Sequence, residues 1–367
     1  MRAAALAALA AAALSACGRS AAATTSAAAS AHTFIDLVGE LPFNLDETGT
    51  PDNASSSILP SWSSELVRPA PATPGPNARL PADGDVVPYL ATSWTQDAHG
   101  SYTFELRRGV RGVSGDPFTA ADVRWSIDRA IARSPVAPFL FTLANINRSD
   151  PVTIINSHRV RINVTAPSPF TLSVLSSYDA AIYDSALYRR HATAADPWGQ
   201  RWGSTHSASF GAYWVSWFLP RREIDLRANP GFWRTPSYTH VVIRQVSDST
   251  ARVDQVLAGL ATHTSALAWG DYITAVDEAG SRGAVAQILQ TGPGVMAWHL
   301  NVKSGPLANP LVRQALNLGV NRVEIANAMY AGYDAPSSLT IPGSGPFRIM
   351  FGSLAGKPNK LRKSRTS

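Results

Sequence analysis

The stretch "VVPYLATSWTQDAHGSYTFELRRGVRGVSGDPFTAADVRWSIDRAIA", residues 86–132, decides the fold, because its hydrophobic period changes partway through. In "SYTFELR", Tyr102, Phe104 and Leu106 alternate with other residues and share one face of a strand. Gly109 then permits a turn. After Pro117 the period becomes helical, with Val123, Ile127, Ala130 and Ile131 at three- and four-residue spacing. Thr119 stands at the N-cap position and Asp122 follows three residues later, a pair of capping-box type. A strand followed by a capped amphipathic helix predicts a mixed α/β fold.

The same two periods recur on either side. "RVRINVT" alternates through Val160, Ile162 and Val164, and "REIDLRA" through Ile224 and Leu226. "HVVIRQV" reads as a strand, and Phe34, Ile35, Leu37 and Val38 form a buried strand within residues 33–47. "STARVDQVLAGL" puts Val253, Val256, Leu257 and Leu260 on one helical face. "AWHLNV" reads as a short strand. "NPLVRQALNLGV" is a helix capped by Asn309 with Pro310 at its first position. A further helical pattern runs from Val323 to Tyr330. "RPAPATPGPNARLPADGD", residues 68–85, is dense in proline and glycine and reads as a loop. No period repeats along the chain.

The single cysteine, Cys17, follows Arg2 and an apolar run from Ala3 to Leu14 that is too short to cross a bilayer. The string Leu14-Ser15-Ala16-Cys17 resembles the lipobox of bacterial lipoproteins. The resemblance implies a signal peptide over residues 1–16, a lipid on Cys17, and anchorage at the outer face of the cell membrane. Residues 17–32 are too poor in apolar bulk to fold and read as a flexible tether. An ordinary secretory signal with a chance cysteine is the alternative. One cysteine in an exported chain leaves no internal disulfide framework.

The formal net charge of +6 first suggests nucleic acid, but its distribution argues against that partner. Arg348, Lys357, Lys360, Arg362, Lys363 and Arg365 follow Phe347 with no acid among them, and without these six the 26 remaining basic residues equal the 26 acidic ones. Charge pairs such as Arg107-Arg108 and Arg221-Arg222 read as solvated. No nucleophile elbow, phosphate loop or dinucleotide fingerprint occurs in the sequence. The eight histidines are scattered with no pair at i, i+4, so neither a metal nor another cofactor is called for.

Three stretches resemble the family 5 solute-binding proteins of ABC importers, the receptors for oligopeptides, dipeptides and nickel. In residues 86–132 the matching positions are Pro88, Leu90, Ala91, Ser93, Trp94, Thr103, Phe104, Leu106, Arg107, Gly109, Val110, Gly115, Pro117, Phe118, Thr119, Ala120, Asp122, Val123, Ser126 and Arg129. "FGAYWVSWFLPRREIDLRANPGFW", residues 210–233, matches by Gly211, Tyr213, Trp217, Leu226, Asn229, Pro230 and Trp233. "NPLVRQALNLGVNRVEIANAMYAGY" is similar to the family's D-x-x-V-R-Q-A-L-x-x-A-I-D-R stretch. Gly112-Val113-Ser114, Ala212 and Asn321 depart from the family pattern and blur the subfamily.

The resemblance implies a two-lobed fold of the periplasmic-binding-protein type (type II, Venus-flytrap) with mixed sheets. Residues 33–50 and 152–245 would form the core of lobe I, residues 51–151 a subdomain of it, and residues 246–346 part of lobe II. Residues 347–367 form a basic tail unlike the body, and the resemblance implies that the family continues beyond the point where this chain ends. The implied function is capture of peptides or a similar small solute for an ABC permease, without catalysis. A truncated, non-binding remnant and an exported hydrolase are the alternatives. Thr48, Gly49 and Thr50 would make backbone contacts to the ligand. Phe210, Tyr213 and Trp298 would be wall residues, each with a core role as the alternative. The acid that anchors a peptide amine is not assigned, and the ligand stays open among oligopeptide, dipeptide, nickel complex and sugar.

Overall fold

The computed structural model describes residues 32–46, 58–71, 85–286, 300–321 and 324–325. Along the chain come β1 (Thr33–Val38), β2 (Val67–Pro69), β3 (Val86–Pro88), β4 (Ala91–Gln96) and β5 (Tyr102–Leu106). Helices α1 (Ala120–Arg133) and α2 (Ala137–Leu143) follow, then β6 (Val152–Asn156) and β7 (Arg159–Ile162). Three short helices come next: α3 (Thr171–Leu175), α4 (Ser185–His191) and α5 (Gln200–Gly203). The chain continues through β8 (Tyr213–Leu219), β9 (Glu223–Ala228), β10 (His240–Gln245), α6 (Ser249–Leu257), β11 (His263–Thr264), α7 (Trp269–Ala279) and α8 (Pro310–Gly319).

Two sheets carry the architecture. One is four-stranded and antiparallel, in the order β4-β5-β7-β6. Its buried face uses the predicted alternation: Phe104, Val160 and Ile162 have no exposed surface. Each such side chain contributes about 1.5–3 kcal/mol on burial. The amphipathic helix α1 covers it with Val123, Ile127 and Ala130. The predicted cap forms, Asp122 Oδ2 accepting from Thr119 N–H at 2.8 Å. The other Asp122 oxygen accepts from Ser185 N–H and Oγ, so one carboxylate serves the starts of both α1 and α4.

The second sheet has the order β11-β1-β10-β9-β8. Strands β8, β9 and β10 form an antiparallel meander, whereas β1 lies parallel to both β10 and β11. Ile224, Leu226, Val241 and Ile243 face a core with Trp62, Leu41 and Leu45. On the opposite face Ile35, Leu37 and Val242 are covered from α6, with Val256 packed against them.

Strand pairing moves three of the predicted boundaries. β6 and β7 complete the sheet of β4 and β5, so that sheet crosses the boundary expected at residue 151 and ends at Ile162. β11 pairs with β1, so the five-stranded sheet crosses the boundary expected at residue 245 and ends at Thr264. Arg68 and Pro69, assigned to a loop, pair with Val87 and Val86. The α6 face ends before Leu260, because Gly259 at φ +71° turns the chain out of the helix and leaves Leu260 exposed. Arg107 is not simply solvated: its Nε donates to Tyr89 O and its guanidinium lies over Trp233. Of the expected "AWHLNV" strand, Leu300, Asn301 and Val302 are described and belong to no strand, while the rest, and all of the Val323–Tyr330 helix but Glu324 and Ile325, lies outside the described residues. No helix among the described residues is long and apolar enough to cross a membrane.

Candidate ligand-binding crevice

Ligands of open α/β sheets bind outside the carboxyl ends of parallel strands, where neighbouring connections diverge. Here β1, β10 and β11 run in one direction, so their carboxyl ends lie on one side of the sheet. From β1 the chain leads to Asp46, from β10 into α6, and from β11 into α7. Val246 N–H donates to Val38 O at 2.8 Å, and Thr264 Oγ1 donates to Leu37 O at 2.9 Å, tying the three exits together. His263 Nδ1 meets Asp36 Oδ1 at 2.8 Å, a partnership that raises the imidazole pKa.

Asp46 is held by a guanidinium from the other half of this body. Arg129 on α1 donates from Nη1 and Nη2 to the two Asp46 oxygens at 3.1 and 2.8 Å, and from Nε to Trp198 O at 3.1 Å. The rings of Tyr188 and Tyr183 lie 4.7 and 5.0 Å from its guanidinium carbon. Burial alone lowers the Arg129 pKa, but Tyr188, Asp46 and Tyr183 outweigh it, and the net direction is upward. The cation is fully charged at every physiological pH.

The two sheets meet where backbones cross at close range. Ser64 Oγ donates to Ile182 O and accepts from Phe210 N–H, while Ile182 N–H returns to Ser64 O at 2.6 Å. Gly211 fits because a Cβ there would stand 2.7 Å from Trp62 O and 2.8 Å from Ser63 O. Asn229 Nδ2 bridges Arg111 O and Gly211 O. Phe210 belongs to this junction: it has no exposed surface and packs 5.1 Å from Phe118, so its place is in the core rather than on a wall. Tyr213 is half-buried and donates its hydroxyl to Tyr238 O at 3.0 Å. Cys17, Thr48, Gly49, Thr50 and Trp298 lie outside the described residues.

Two acidic features escape sequence reasoning. Asp179 is 9% exposed, and among the described residues its carboxylate meets no cation; burial raises its pKa to about 6. Asp184 caps α4 and shares the Ser114 hydroxyl with Asp116, which Arg190 holds below the usual carboxylate range. Burial raises the Asp184 pKa. Arg129 lies in a quoted motif, yet its partner is 83 residues upstream and carries no local signal. Asp122 and Asp184 cap helices and Asp46 and Asp116 pair with arginines, an arrangement suited to holding a shape.

Comparison with known proteins places this geometry. The family described as "Bacterial extracellular solute-binding proteins, family 5 Middle" matches residues 85–348. The glutathione-binding protein GsiB of Escherichia coli O1:K1 / APEC is 24% identical over 280 residues, 75% of this chain and 51% of that protein. The periplasmic binding protein DppA of Helicobacter pylori, solved with peptide STSA, superposes with a TM-score of 0.63 at 19% identity, covering 82% of this chain and 59% of that one. The murein tripeptide-binding protein MppA of Escherichia coli gives 0.64 at 18% identity, covering 87% and 62%. MppA in its unliganded open form gives 0.57 at 18% identity, covering 83% and 58%. The fold is therefore that of the two-lobed periplasmic binding proteins. The chain belongs to the bacterial extracellular solute-binding proteins of family 5, whose members are transport receptors and not enzymes. It spans about half the length of the curated relatives it matches.

Proposed function

We propose that this chain is the capture component of an ABC importer, taking a short peptide or similar small solute and delivering it to the permease. The observation that carries the reading is the convergence of β1, β10 and β11 at one set of carboxyl ends, beside an Asp46 locked by Arg129. GsiB binds glutathione, DppA was solved with STSA, and MppA binds a murein tripeptide, so short peptides are the ligand class this chain is assigned. Such ligands are held largely by backbone hydrogen bonds, in the manner of an added strand. Residues 48–50 are proposed to supply those bonds, with Tyr213 and Trp298 toward the wall. The body through Thr264 is assigned to lobe I and the chain after Ala266 to lobe II, and the open form of MppA supports a receptor that opens and closes.

Cys17 is assigned the lipid that moors this receptor outside the membrane. A single acyl chain holds only marginally, so a stable mooring needs more than one. Labelled palmitate should enter the wild type and not Cys17→Ser; equal labelling removes the anchor from this reading. For the ligand, calorimetry with glutathione and with Ser-Thr-Ser-Ala, beside a peptidase assay, is the test. Saturable binding without turnover is the expected result. Hydrolysis of either peptide without saturable binding overturns it.

A further inference from the structure

Like charges gathered in one place repel, so a cluster of arginines without acids among them calls for a partner. Arg107, Arg108, Arg111 and Arg234 form such a cluster around Trp233. Among the described residues none of the four lies within ion-pair distance of a carboxylate. The guanidinium of Arg107 lies 4.4 Å from the Trp233 ring, and its Nε donates to Tyr89 O at 3.1 Å. Arg108 and Arg234 are their chain neighbours, and both are exposed. Arg111 N–H donates to Gly231 O at 3.0 Å, two residues before Trp233. Tyr89 and Phe232 pack on Trp233 at 4.9 and 3.9 Å, and Arg68, paired with Glu65, covers the Tyr89 ring at 3.9 Å. Burial first, and the charge of Arg234 second, press the Arg107 pKa downward, as crowded cations do.

The cluster sits at the end of the five-stranded sheet where the chain enters it. Trp233 and Arg234 belong to the connection from β9 to β10, and β1 lies parallel to β10 with Thr33 opposite His240. Thr239 and His240 N–H both donate to His32 O, at 3.1 and 3.3 Å. The Tyr238 ring lies 5.1 Å from that of Phe34 on β1. Arg234 is four residues before Tyr238, so the backbone between them spans at most about 14 Å. The arginines and the start of β1 therefore share one end of the sheet, and the crevice at the carboxyl ends of β1 and β10 occupies the other. Ahead of His32 the chain leads back to Cys17, and residues 17–31 can span at most about 50 Å.

We propose that the face formed by Arg107, Arg108, Arg111 and Arg234 around Trp233 docks on an anionic phospholipid bilayer. It rests on the receptor reading only for the mooring at Cys17, which keeps this end of the body within reach of a membrane. Lipid phosphates match the chemistry: a guanidinium fork binds a phosphate with two parallel hydrogen bonds, which an ammonium does not. With Nε committed to Tyr89 O and the plane laid over Trp233, Arg107 keeps its Nη donors for such a partner. A partly buried tryptophan beside them suits the level of the headgroups. The charges are spread along a face instead of converging on one enclosed point, which fits a surface of many phosphates better than a single free anion. A body docked this way turns the crevice end of the sheet away from the bilayer, toward arriving solute.

The test needs neither the lipid on Cys17 nor a solute. The full chain carrying Cys17→Ser is floated with vesicles of phosphatidylcholine alone, or with about 30% phosphatidylglycerol added. Binding should appear with the anionic vesicles only and fade in 1 M salt, where screening falls to about 3 Å. Arg108→Gln/Arg234→Gln should weaken it about 25-fold, about fivefold for each arginine. Both side chains are exposed, so folding should survive. The same change of charge at the crevice end, Arg133→Gln/Arg201→Gln, should leave binding within about twofold; Arg201 lies three residues before Ser204, whose carbonyl accepts from Leu45 N–H. The basic residues after Phe347 are present in every variant and so cancel from the comparison. A fluorophore at Thr235→Cys should be quenched by nitroxide-headgroup lipid, and one at Ala195→Cys should not. Docking on a bilayer is overturned if the wild type does not float, if Arg108→Gln/Arg234→Gln floats as well as it does, if Arg133→Gln/Arg201→Gln weakens binding equally, or if both fluorophores are quenched alike. Release by inorganic phosphate at constant ionic strength also overturns it and assigns the arginines to a free anion. Failure of glutathione or the tetrapeptide to bind would sink the receptor reading and leave this result standing.

Discussion

Two buried arginines anchor this molecule, and they are built on opposite principles. Arg129 has no exposed surface, makes a bidentate pair with Asp46 and is flanked by the rings of Tyr183 and Tyr188. Arg252 on α6 is nearly as buried, but its partners are the carbonyls of Val246, Ser247 and Ala266 and the hydroxyl of Thr264, at the ends of β10 and β11. The first arrangement joins α1 to the chain leaving β1 by charge against charge, so neither partner can leave without stranding the other. The second gathers strand ends through dipoles, whose loss one at a time is gradual. A joint locked by charge and one held by dipoles thus use the same side chain, and the chemistry of the acceptors separates them.

The comparison breaks most readily at the locked joint. Asp46→Ala leaves Arg129 buried without its counter-charge and should cost about 3–5 kcal/mol in urea unfolding. Arg252→Met strands no ion and should cost only about 1–3 kcal/mol. Equal losses would erase the distinction. The double variant Asp46→Leu/Arg129→Met should recover much of the larger loss; if it does not, the tyrosine rings carry more of the joint than the carboxylate.

Asp179 sharpens the comparison from the other side, as a buried anion with no cation. Its pKa is raised to about 6 by burial, above the ordinary aspartate value, so the folded state favours its protonated form. The stability this lends is complete below about pH 4 and is lost as pH rises through about 6. Asp179→Asn should therefore stabilise the protein at pH 7–8, by about 1–2 kcal/mol once screening by the solvent that still reaches the group is allowed for. The gain should vanish below about pH 4 in thermal melts over that range. A pH-independent gain would mean that the charge is not the cause.

The smallest effect belongs to His263, whose partnership with Asp36 raises its pKa. The stabilisation is present in full below about pH 6.5 and fades as pH rises through the raised value. His263→Gln should lower the melting temperature slightly at pH 5.5 and not at pH 9, within the ~0–1 kcal/mol typical of partly exposed pairs. A loss that persists at pH 9 would assign the residue to packing instead.

Local patterns were easy to read and distant partnerships were not. The alternation of Tyr102, Phe104 and Leu106 and the Thr119–Asp122 cap appear as predicted, because each depends on residues a few positions apart. Asn309 likewise caps α8 through Leu311 N–H. The subdomain end expected at residue 151 falls inside a sheet because strand pairing is not local: β6 resembles any short apolar run until β7 lies beside it. Phe210 sits in a motif from which a wall residue was expected, yet its burial depends on Phe118, over ninety residues away in sequence. Arg252 gave no signal at all. A basic residue beside Val253 on an amphipathic helix reads as solvated, and only the fold shows which carbonyls surround it.

The placement of β1 between β10 and β11 also sets an order of events in time. The four-stranded sheet is complete by Ile162 and can form from one continuous stretch. β1 waits for a neighbour that begins at His240 and another that begins at His263. At about 5–20 residues per second, roughly 10–40 s separate the emergence of β1 from that of its first partner. Pairings so remote in sequence also fold slowly once both strands are present. The strand that opens the body is thus among the last to be seated, and until then it remains an unpaired apolar segment in need of shelter.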